Sequence, residues 1–377
     1  MAEVLRENFD GVEAQTETVK CSSCGSNMVF NPETQTLECP HCGTNKSFGN
    51  VGMAGELDLR AGLYGGNRWT AEEAVVFGCD NCGAKVVLKQ GETAASCPFC
   101  GTAHVRKTEE LAGVKPNALI PFAFDGKKAI ELSKAWAKKR FFAPRKFKKN
   151  VDADHVKGVY APCFTFDSKT TSYYEGRIGQ TRTRTVGSGK NRRTQTYTVW
   201  RNICGTFDFN YDDLLITAGS KFGQRELNKI SPFDTNNSRT YEEEYLLGFM
   251  AYHYDSELSD CWSRAKKDID ADLRRRILSQ YVHDKVAYLN VSTSHADVTY
   301  KYVMLPVYVG NYNFKSKLYN FFVNGSTGKV WGKTPKSPLK ITIAAIVAIF
   351  TSSFLVSKIF LNNPFLNLLL FFTKVKC

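Results

Sequence analysis

Four Cys-x-x-Cys-Gly motifs lie within the first 101 residues, and their thiols are the side chains best placed to do chemistry. Fourteen residues separate the two motifs of each pair, and the second pair repeats the first 58 residues later. The eight cysteines are Cys21, Cys24, Cys39, Cys42, Cys79, Cys82, Cys97 and Cys100. Two thiolates two residues apart can reach one tetrahedral metal ion from a tight turn, and the following glycine permits a positive φ. Each pair therefore predicts a zinc ribbon.

The alternative for these cysteines is a disulfide framework. The N-terminal segment carries early acidic residues and no apolar core, so it lacks the pattern of a secretory signal peptide. We therefore expect reduced thiols in the cytoplasm, which favours metal over disulfides. Sulfur at all four ligand positions leaves no vacancy for water or substrate. The sequence thus predicts two structural Zn²⁺ ions as the cofactors.

The formal net charge of +13 is concentrated in two basic segments. Residues 127–149 contain ten basic residues and one acidic residue, and residues 177–201 contain seven basic residues and no acidic residue. Such surfaces attract nucleic-acid phosphates or anionic lipid, although a merely solvated basic surface is the alternative. The candidate anion-binding residues are Lys127, Lys128, Lys134, Lys138, Lys139, Arg140, Arg182, Arg184, Lys190, Arg192 and Arg193.

The segments between the ribbons and the C-terminus alternate between helical and strand patterns. A basic amphipathic helix is expected after Asp125, ending before Pro144, and a longer helix over residues 257–281. Residues 159–219 and 286–332 are rich in Thr, Tyr, Phe and Val and predict several strands. The basic sequence GSGKNRR predicts a hairpin turn between two of them.

Residues 341–361 are apolar or small except for the single charge at Lys358. A helix of this length spans about 31 Å, close to the hydrocarbon thickness of a bilayer. A buried core helix is the alternative, but apolar and small residues on all faces favour a transmembrane helix. We therefore expect a single-pass protein of the cell membrane with its N-terminal bulk in the cytoplasm.

These observations predict an α+β protein with two N-terminal four-cysteine zinc ribbons, a body of mixed helices and antiparallel strands, and a C-terminal transmembrane helix. The expected order is a disordered N-terminus (1–18), ribbon 1 (19–48), a linker with a short helix (49–76), ribbon 2 (77–106), the α+β body (114–338), the transmembrane helix (341–361) and an apolar and basic tail (362–377).

Catalytic motifs are absent from the sequence. The segment around Lys190 is not a phosphate-binding loop, because Arg184 stands where the first glycine is required and Asn191 where Ser or Thr is required. No zinc-protease, hydrolase or dinucleotide-binding signature occurs either. The sequence therefore predicts a protein that is not an enzyme and has no small-molecule substrate.

Several segments together resemble a group of bacterial proteins with transcription-factor-IIB-type zinc ribbons. The segments are CSSCGSNMVFNPETQTLECPHCGT, IPFAFDGKKAIELSKAWAKKRFFAPRKF, GVYAPCFTFD and MLPVYVGNYNFKSKLYNFFVNGSTGKVWGKTPKS. Members are often labelled as similar to the primosomal replication-restart helicase. A helicase motor needs a phosphate loop, which is missing here, so the resemblance does not imply helicase activity.

The functional expectation is a non-enzymatic, membrane-anchored adaptor in which the zinc ribbons bind a protein partner. The alternative is a membrane-tethered nucleic-acid-binding protein linked to replication or transcription, which uses its basic segments on phosphates. Membrane and protein are thus the expected partners, with nucleic acid or anionic lipid as further candidates.

Overall fold

The structure of the chain is a computed structural model that describes residues 19–47, 49, 51–66, 75–81, 84–88, 105–110, 114–149, 156–314 and 317–361. The strands are β1 (Val29–Asn31), β2 (Thr36–Glu38), β3 (Asn45–Lys46), β4 (Leu57–Asp58), β5 (Val75–Cys79), β6 (Lys85–Leu88), β7 (Val105–Glu110), β8 (Ala118–Leu119), β9 (Val156–Val186), β10 (Arg193–Thr217), β11 (Arg239–Thr240), β12 (Met250–Tyr252), β13 (Lys285–Phe314), β14 (Lys317–Asn324) and β15 (Val330–Gly332). The helices are α1 (Leu59–Leu63), α2 (Gly126–Lys138), α3 (Arg145–Lys149), α4 (Gln224–Ile230), α5 (Leu258–Ser279) and α6 (Pro338–Leu361).

Strands dominate this architecture. In the described residues, β1, β2 and β3 form a small sheet, and the other twelve strands form one large sheet. Its main order is β11-β8-β13-β9-β12-β6-β5-β7, with β10 paired to β9 and with β4 and β14 paired to β13. The predicted α+β class is therefore wrong, because the β-rich segments join into long strands of one sheet and the fold is mostly β.

Three very long strands organise the large sheet. β9 has 31 residues, β13 has 30 and β10 has 25, and β9 lies between the other two in antiparallel register. At about 3.3 Å per residue, β9 is about 100 Å long. Its first part crosses the body, and residues 168–186, 193–211 and 285–296 continue as an arm that is three-stranded as far as Gly179 and a two-stranded hairpin of β9 and β10 beyond it. The arm ends in the predicted GSGKNRR hairpin turn, which is confirmed.

Helix α5 packs on one face of the arm. Its predicted range is confirmed, and its apolar stripe buries Leu258, Cys261, Ala265, Ile269, Leu273 and Ile277. At the end of this stripe, Ile277 joins Ile178 of β9, Ile203 of β10 and Leu289 of β13 in one apolar cluster. The helix thereby stabilises an arm that would otherwise be a bare three-stranded ribbon.

Two β-bulges face each other where the arm leaves the body. β10 shifts register between Tyr211 and Leu214, and β13 shifts between Ala296 and Thr299. Asp167 of β9 lies between the bulges and binds both of them. Its carboxylate accepts a hydrogen bond from the backbone N–H of Asp213 at 2.7 Å and from the hydroxyl of Thr299 at 3.4 Å. The Asp167 carboxylate therefore holds both β-bulges in place.

A buried lysine neutralises the acidic groups at this junction. The ammonium of Lys301, which is only 5% exposed, lies 2.7 Å from Glu56 and 2.8 Å from Asp213. Burial lowers the pKa of Lys301, but its bonds to Asp213 and Glu56 raise that pKa above its ordinary value overall. Burial also raises the carboxyl pKa values of Glu56 and Asp167. We call these four charged residues, Glu56, Asp167, Asp213 and Lys301, the junction cluster.

Part of the predicted linker is attached to the body. β4 pairs with β13 through Asp58 and Leu57, and α1 follows immediately. Earlier in the segment, Met53 forms a bridge with Arg239, and the N–H of Ala54 donates to the carbonyl of Ser238 at 2.9 Å. The segment 51–66 thus packs along the sheet and carries Glu56 into the junction cluster. The short helix expected over residues 67–77 lies mostly outside the described residues, and its last three residues belong to β5 instead.

The expected transmembrane helix is also corrected. A helix, α6, does form over Pro338–Leu361. A membrane span requires about 20 predominantly apolar helical residues. Among the residues described here, no helix is long and apolar enough to meet that requirement. The prediction of a single-pass location in the cell membrane is therefore wrong as well, because it depended on that helix.

The junction cluster predicts a large stability loss for Lys301→Met. The variant keeps the apolar stem but leaves three neighbouring carboxylates without their cation, which should lower the free energy of unfolding by about 3–5 kcal/mol at neutral pH. Chemical denaturation measures this loss. The carboxyl pKa values of Glu56 and Asp167 are raised, so these groups take up protons at a higher pH in the folded state than in the unfolded state. Protonation removes the negative charge that Lys301 neutralises. The stability loss of Lys301→Met should therefore shrink as the pH falls.

The matched control is Lys169→Met, which removes an exposed ammonium 2.8 Å from Asp297. Exposed pairs contribute about 0–1 kcal/mol, so this variant should unfold almost like the unchanged protein. Equal losses for the two variants would show that the junction cluster does not stabilise the fold.

Candidate metal centre

The two cysteine knuckles of ribbon 1 have the same backbone geometry. In the first, the N–H of Gly25 donates to the carbonyl of Cys21 at 2.9 Å, and the N–H of Cys21 donates to the carbonyl of Ser26 at 2.8 Å. The second knuckle repeats both bonds at the corresponding positions. Gly25 has φ 74° and Gly43 has φ 73°, a conformation that side chains with a Cβ rarely adopt. The glycines therefore close the turns that present the thiols.

The four thiols of ribbon 1 converge on one point. Their sulfur atoms all lie within 4.8 Å of one another. The Sγ atoms of Cys21 and Cys42 are 3.5 Å apart, and those of Cys24 and Cys39 are 3.4 Å apart. Four sulfurs at about 2.3 Å from a tetrahedral zinc ion would be about 3.8 Å from each other. The cluster can therefore hold one metal ion, and its geometry is consistent with zinc.

The four thiols lie in unequal electrostatic surroundings. The backbone N–H of Ser23 donates to the Cys21 sulfur at 3.4 Å, and this bond, against the opposing effect of burial and with further bonds from Cys24, Cys42 and Thr44, lowers the pKa of Cys21 to about 6. For Cys39, a backbone bond from Cys42 lowers the pKa, but burial and the neighbouring thiols raise it to about 11 overall. Thiolates this close repel one another, so all four can ionise together only around a cation.

Ribbon 1 is fixed to the body. The N–H of Phe30 donates to the carbonyl of Leu247 at 2.9 Å, and the Phe30 ring lies 5.0 Å from the ring of Tyr245. On the next turn, Gln35 donates its side-chain amide to the carbonyl of Phe122 at 2.8 Å. The buried residues of the ribbon belong to the same apolar core as the body. Loss of the metal should therefore disturb the body as well as the ribbon.

Ribbon 2 is described only in part. Cys79 is buried at the end of β5, whereas Cys82, Cys97 and Cys100 lie outside the described residues. The N–H of Cys79 donates to the carbonyl of Ala84 at 2.9 Å, the same bond that closes the knuckles of ribbon 1. β5 pairs with β6 and β7, and β6 continues onto β12 of the body. The two ribbons thus contact neighbouring parts of one segment, residues 245–252.

The structure separates the two sets of predicted anion-binding residues. Lys127, Lys128, Lys134, Lys138, Lys139 and Arg140 are exposed on or just after α2. Arg182, Arg184, Arg192 and Arg193 are exposed near the arm tip, and the side chain of Lys190 lies outside the described set. Gly126 at the start of α2 is next to Tyr308, which pairs with Gly158 of β9. At 3.3 Å per residue, the two sets are therefore about 80 Å apart along β9.

Sequence reasoning missed the junction cluster. Its three carboxylates, those of Glu56, Asp167 and Asp213, lie close enough together to be considered for a cation. The ammonium of Lys301 already occupies the space between two of them. The four residues come from four distant segments, so no spacing in the sequence could have indicated them. We interpret the cluster as a structural ion-pair network.

The metal centre predicts that Cys39→Ser removes one metal ion per chain. The substituted oxygen is a poor ligand for zinc, and the remaining thiolates lose their shared cation. Elemental analysis should show the loss, and thermal unfolding should begin at a lower temperature because ribbon 1 shares the body core. Cys204→Ser is the matched control, since Cys204 is exposed on β10 and far from the cluster in sequence. Unchanged metal content in Cys39→Ser would contradict this assignment.

Comparisons with known proteins leave the family open. No protein-family model matches the sequence, and no solved structure is significantly similar to it. The chain is 29% identical over 245 residues to a protein of Bacillus subtilis (strain 168) described as the uncharacterized protein YdjG. That similarity covers 62% of this chain and 68% of the relative. The resemblance to zinc-ribbon proteins of the transcription-factor-IIB type stays a prediction, and the chain is similar to a relative whose description states no activity.

Proposed function

We propose that this protein is a non-enzymatic scaffold that binds a protein partner along the outer edge of β10. The observation that carries the proposal is the length of that edge. Over the arm, β10 pairs with β9 on one side, and among the described residues no other strand pairs with it. Unpaired N–H and C=O groups in a row are a template for an added strand from another chain.

The side chains of the edge favour pairing. Between Thr194 and Phe207 the only charged residue is Arg201, and the segment is rich in β-branched and aromatic residues. Tyr197 and Val199 are each 40% exposed, and Trp200 is 39% exposed. Sheet edges that avoid other chains are usually short or carry several charges. This edge is long and nearly uncharged, so it suits a bound strand.

The ribbons supply the rigid base of this scaffold. Ribbon 1 holds residues 245–249 through Phe30, and ribbon 2 extends β12 through β6. We propose a second structural zinc ion on Cys79, Cys82, Cys97 and Cys100. Two observations support it: the repeat of the cysteine spacing, and the knuckle bond from Cys79 to Ala84. With all ligands sulfur, both ions would stabilise the fold without reacting.

A scan with photo-crosslinking residues tests the edge. The crosslinker is placed singly at Tyr197, Val199 and Cys204, and as a control at Asn236, which is exposed on the body. The proposal predicts that one and the same protein is captured at the three edge positions and not at the control. The double variant Val199→Lys/Cys204→Lys should abolish binding of that purified protein, because charges on an edge oppose strand addition.

Two results would contradict the scaffold proposal. If the captured protein binds the double variant as tightly as the unchanged chain, the edge of β10 is not its binding site. The scaffold proposal also fails if the edge positions capture nothing and the arm binds nucleic acid instead.

Nucleic-acid binding is the second candidate, and the arm tip carries its support. Arg182 and Arg184 lie on one face of β9, and Gln195 and Tyr197 are their pairing partners on β10. The guanidinium of Arg184 lies 5.5 Å from the centre of the Tyr197 ring. No carboxylate occurs between residues 177 and 201. Such a tip could combine phosphate contacts with base stacking.

Binding of a labelled oligothymidylate at increasing salt tests this candidate. If the tip binds phosphates, affinity should fall steeply with salt. The double variant Arg182→Gln/Arg184→Gln should make the slope of log affinity against log salt concentration shallower, by the amount expected for about two lost phosphate contacts. The double variant Lys127→Gln/Lys128→Gln on α2 is the matched control, and it should leave the slope unchanged. A flat salt response, or an equal effect of both double variants, would exclude the arm tip as a nucleic-acid site.

A further inference from the structure

A cavity of about 560 Å³ lies beside the junction cluster, between α1, α5 and β13. Its volume is within the range of pockets that bind small molecules, about 300–1,000 Å³. None of the residues that line it belongs to β10 or to the described part of either ribbon. No sequence motif pointed to it, because its residues come from three distant segments.

The walls of the cavity are held by backbone pairing. β4 pairs with β13, so that α1 is carried across the sheet directly after Asp58. Gly62 of α1 lies against the ring of Tyr300, where a Cβ would be 2.5 Å from the ring atoms. This close approach fixes α1 on the sheet. The bulge of β13 forms the floor, and its residue Asp297 adopts φ 48°. Bulges of this kind often redirect side chains at binding sites.

The unpaired charges of the cavity are positive in sum. Of its two carboxylates, Asp297 is paired with the ammonium of Lys169 at 2.8 Å, whereas Asp58 accepts the N–H of Ala61 at 2.8 Å and keeps its negative charge. Arg60 and Lys266 also line the cavity. Neither of them forms an ion pair with any residue in the described part of the chain. An anion entering the cavity would therefore meet two available cations.

The remaining wall is aromatic. Trp262 lies on α5 one turn before Lys266, whose ammonium is 5.9 Å from the indole centre. The ring of His295 meets Trp262 edge to face at 5.3 Å, and its Nδ1 lies 3.0 Å from the hydroxyl of Ser168. Its other nitrogen, Nε2, has no hydrogen bond to a described residue and can bind a polar group of a ligand. A flat ring and a charged group can thus be recognised together.

We propose that this cavity binds a small aromatic anion, with the ring of the ligand against Trp262 and its negative group between Arg60 and Lys266. The negative group can be a phosphate or a carboxylate, since a guanidinium and an ammonium bind both. The proposal concerns binding and is independent of the scaffold function. It departs from the expectation that the protein has no small-molecule ligand.

Isothermal titration of the intact, metal-bound protein with four probes tests the proposal. The probes are AMP, naphthalene-2-carboxylate and their uncharged analogues adenosine and 2-naphthalenemethanol. At least one anion should bind at millimolar concentration or below, and about tenfold more tightly than its uncharged analogue. Binding by AMP alone would indicate a phosphate ligand, and binding by the carboxylate alone would indicate an organic acid. Absence of binding by both anions would overturn the proposal.

Three variants test whether the anion binds in this cavity. Arg60→Gln and Lys266→Gln should each weaken the anion about tenfold, and Trp262→Leu should weaken it about fivefold through loss of the ring contact. Lys267→Gln is the matched control, because Lys267 is the exposed neighbour of Lys266 and does not line the cavity. Arg60 and Lys266 are exposed, so their variants should unfold at the same temperature as the unchanged protein. Equal weakening by Lys266→Gln and Lys267→Gln would show non-specific attraction and would refute the site.

Discussion

The continuity of β9 is the constraint on which the rest of the structure depends. One strand of 31 residues is the centre of the body sheet at its beginning and the centre of the arm as far as Gly179. The two strands paired with β9, β10 and β13, each form a bulge beside Asp167, and the Asp167 carboxylate binds both bulges. Lys301 neutralises the acidic groups around it. The arm can therefore project while staying in register with the body. Without this junction, the edge of β10 and the cavity beneath α1 would have no fixed geometry.

The candidate metal centre is connected to the same framework. Ribbon 1 packs Phe30 against Tyr245, and β6 of ribbon 2 pairs with β12, which pairs in turn with the first part of β9. A metal ion held there by four sulfur ligands would contribute folding energy. This arrangement explains how a metal ion can matter to a binding surface that it does not touch. Ribbon 1 contacts the segment 245–252, and β12 of that segment pairs with the first part of β9.

Local signals in the sequence were sufficient for some features and not for others. The spacing of Cys21, Cys24, Cys39 and Cys42 predicted a site that the structure brings together, because both knuckles are closed by local turns. The length of β9 was missed, since the polar residues 168–170 and the glycine at position 179 read as strand ends. Gly179 instead makes room for the ring of Trp200, where a Cβ would lie 2.6 Å from Thr198 and 2.9 Å from the ring. The junction cluster and the cavity depend on contacts between distant segments, which no local pattern encodes.

Amide hydrogen exchange at single-residue resolution tests the central claim, that β10 offers a free edge on a rigid arm. In the isolated protein, β9 residues 169–178 are paired on both sides and should exchange slowly throughout. In β10 residues 194–207, every second amide faces away from β9 and should exchange fast, while the amides between them stay protected. Uniform protection of β10, equal to that of β9, would show that the edge is already covered and would contradict the account.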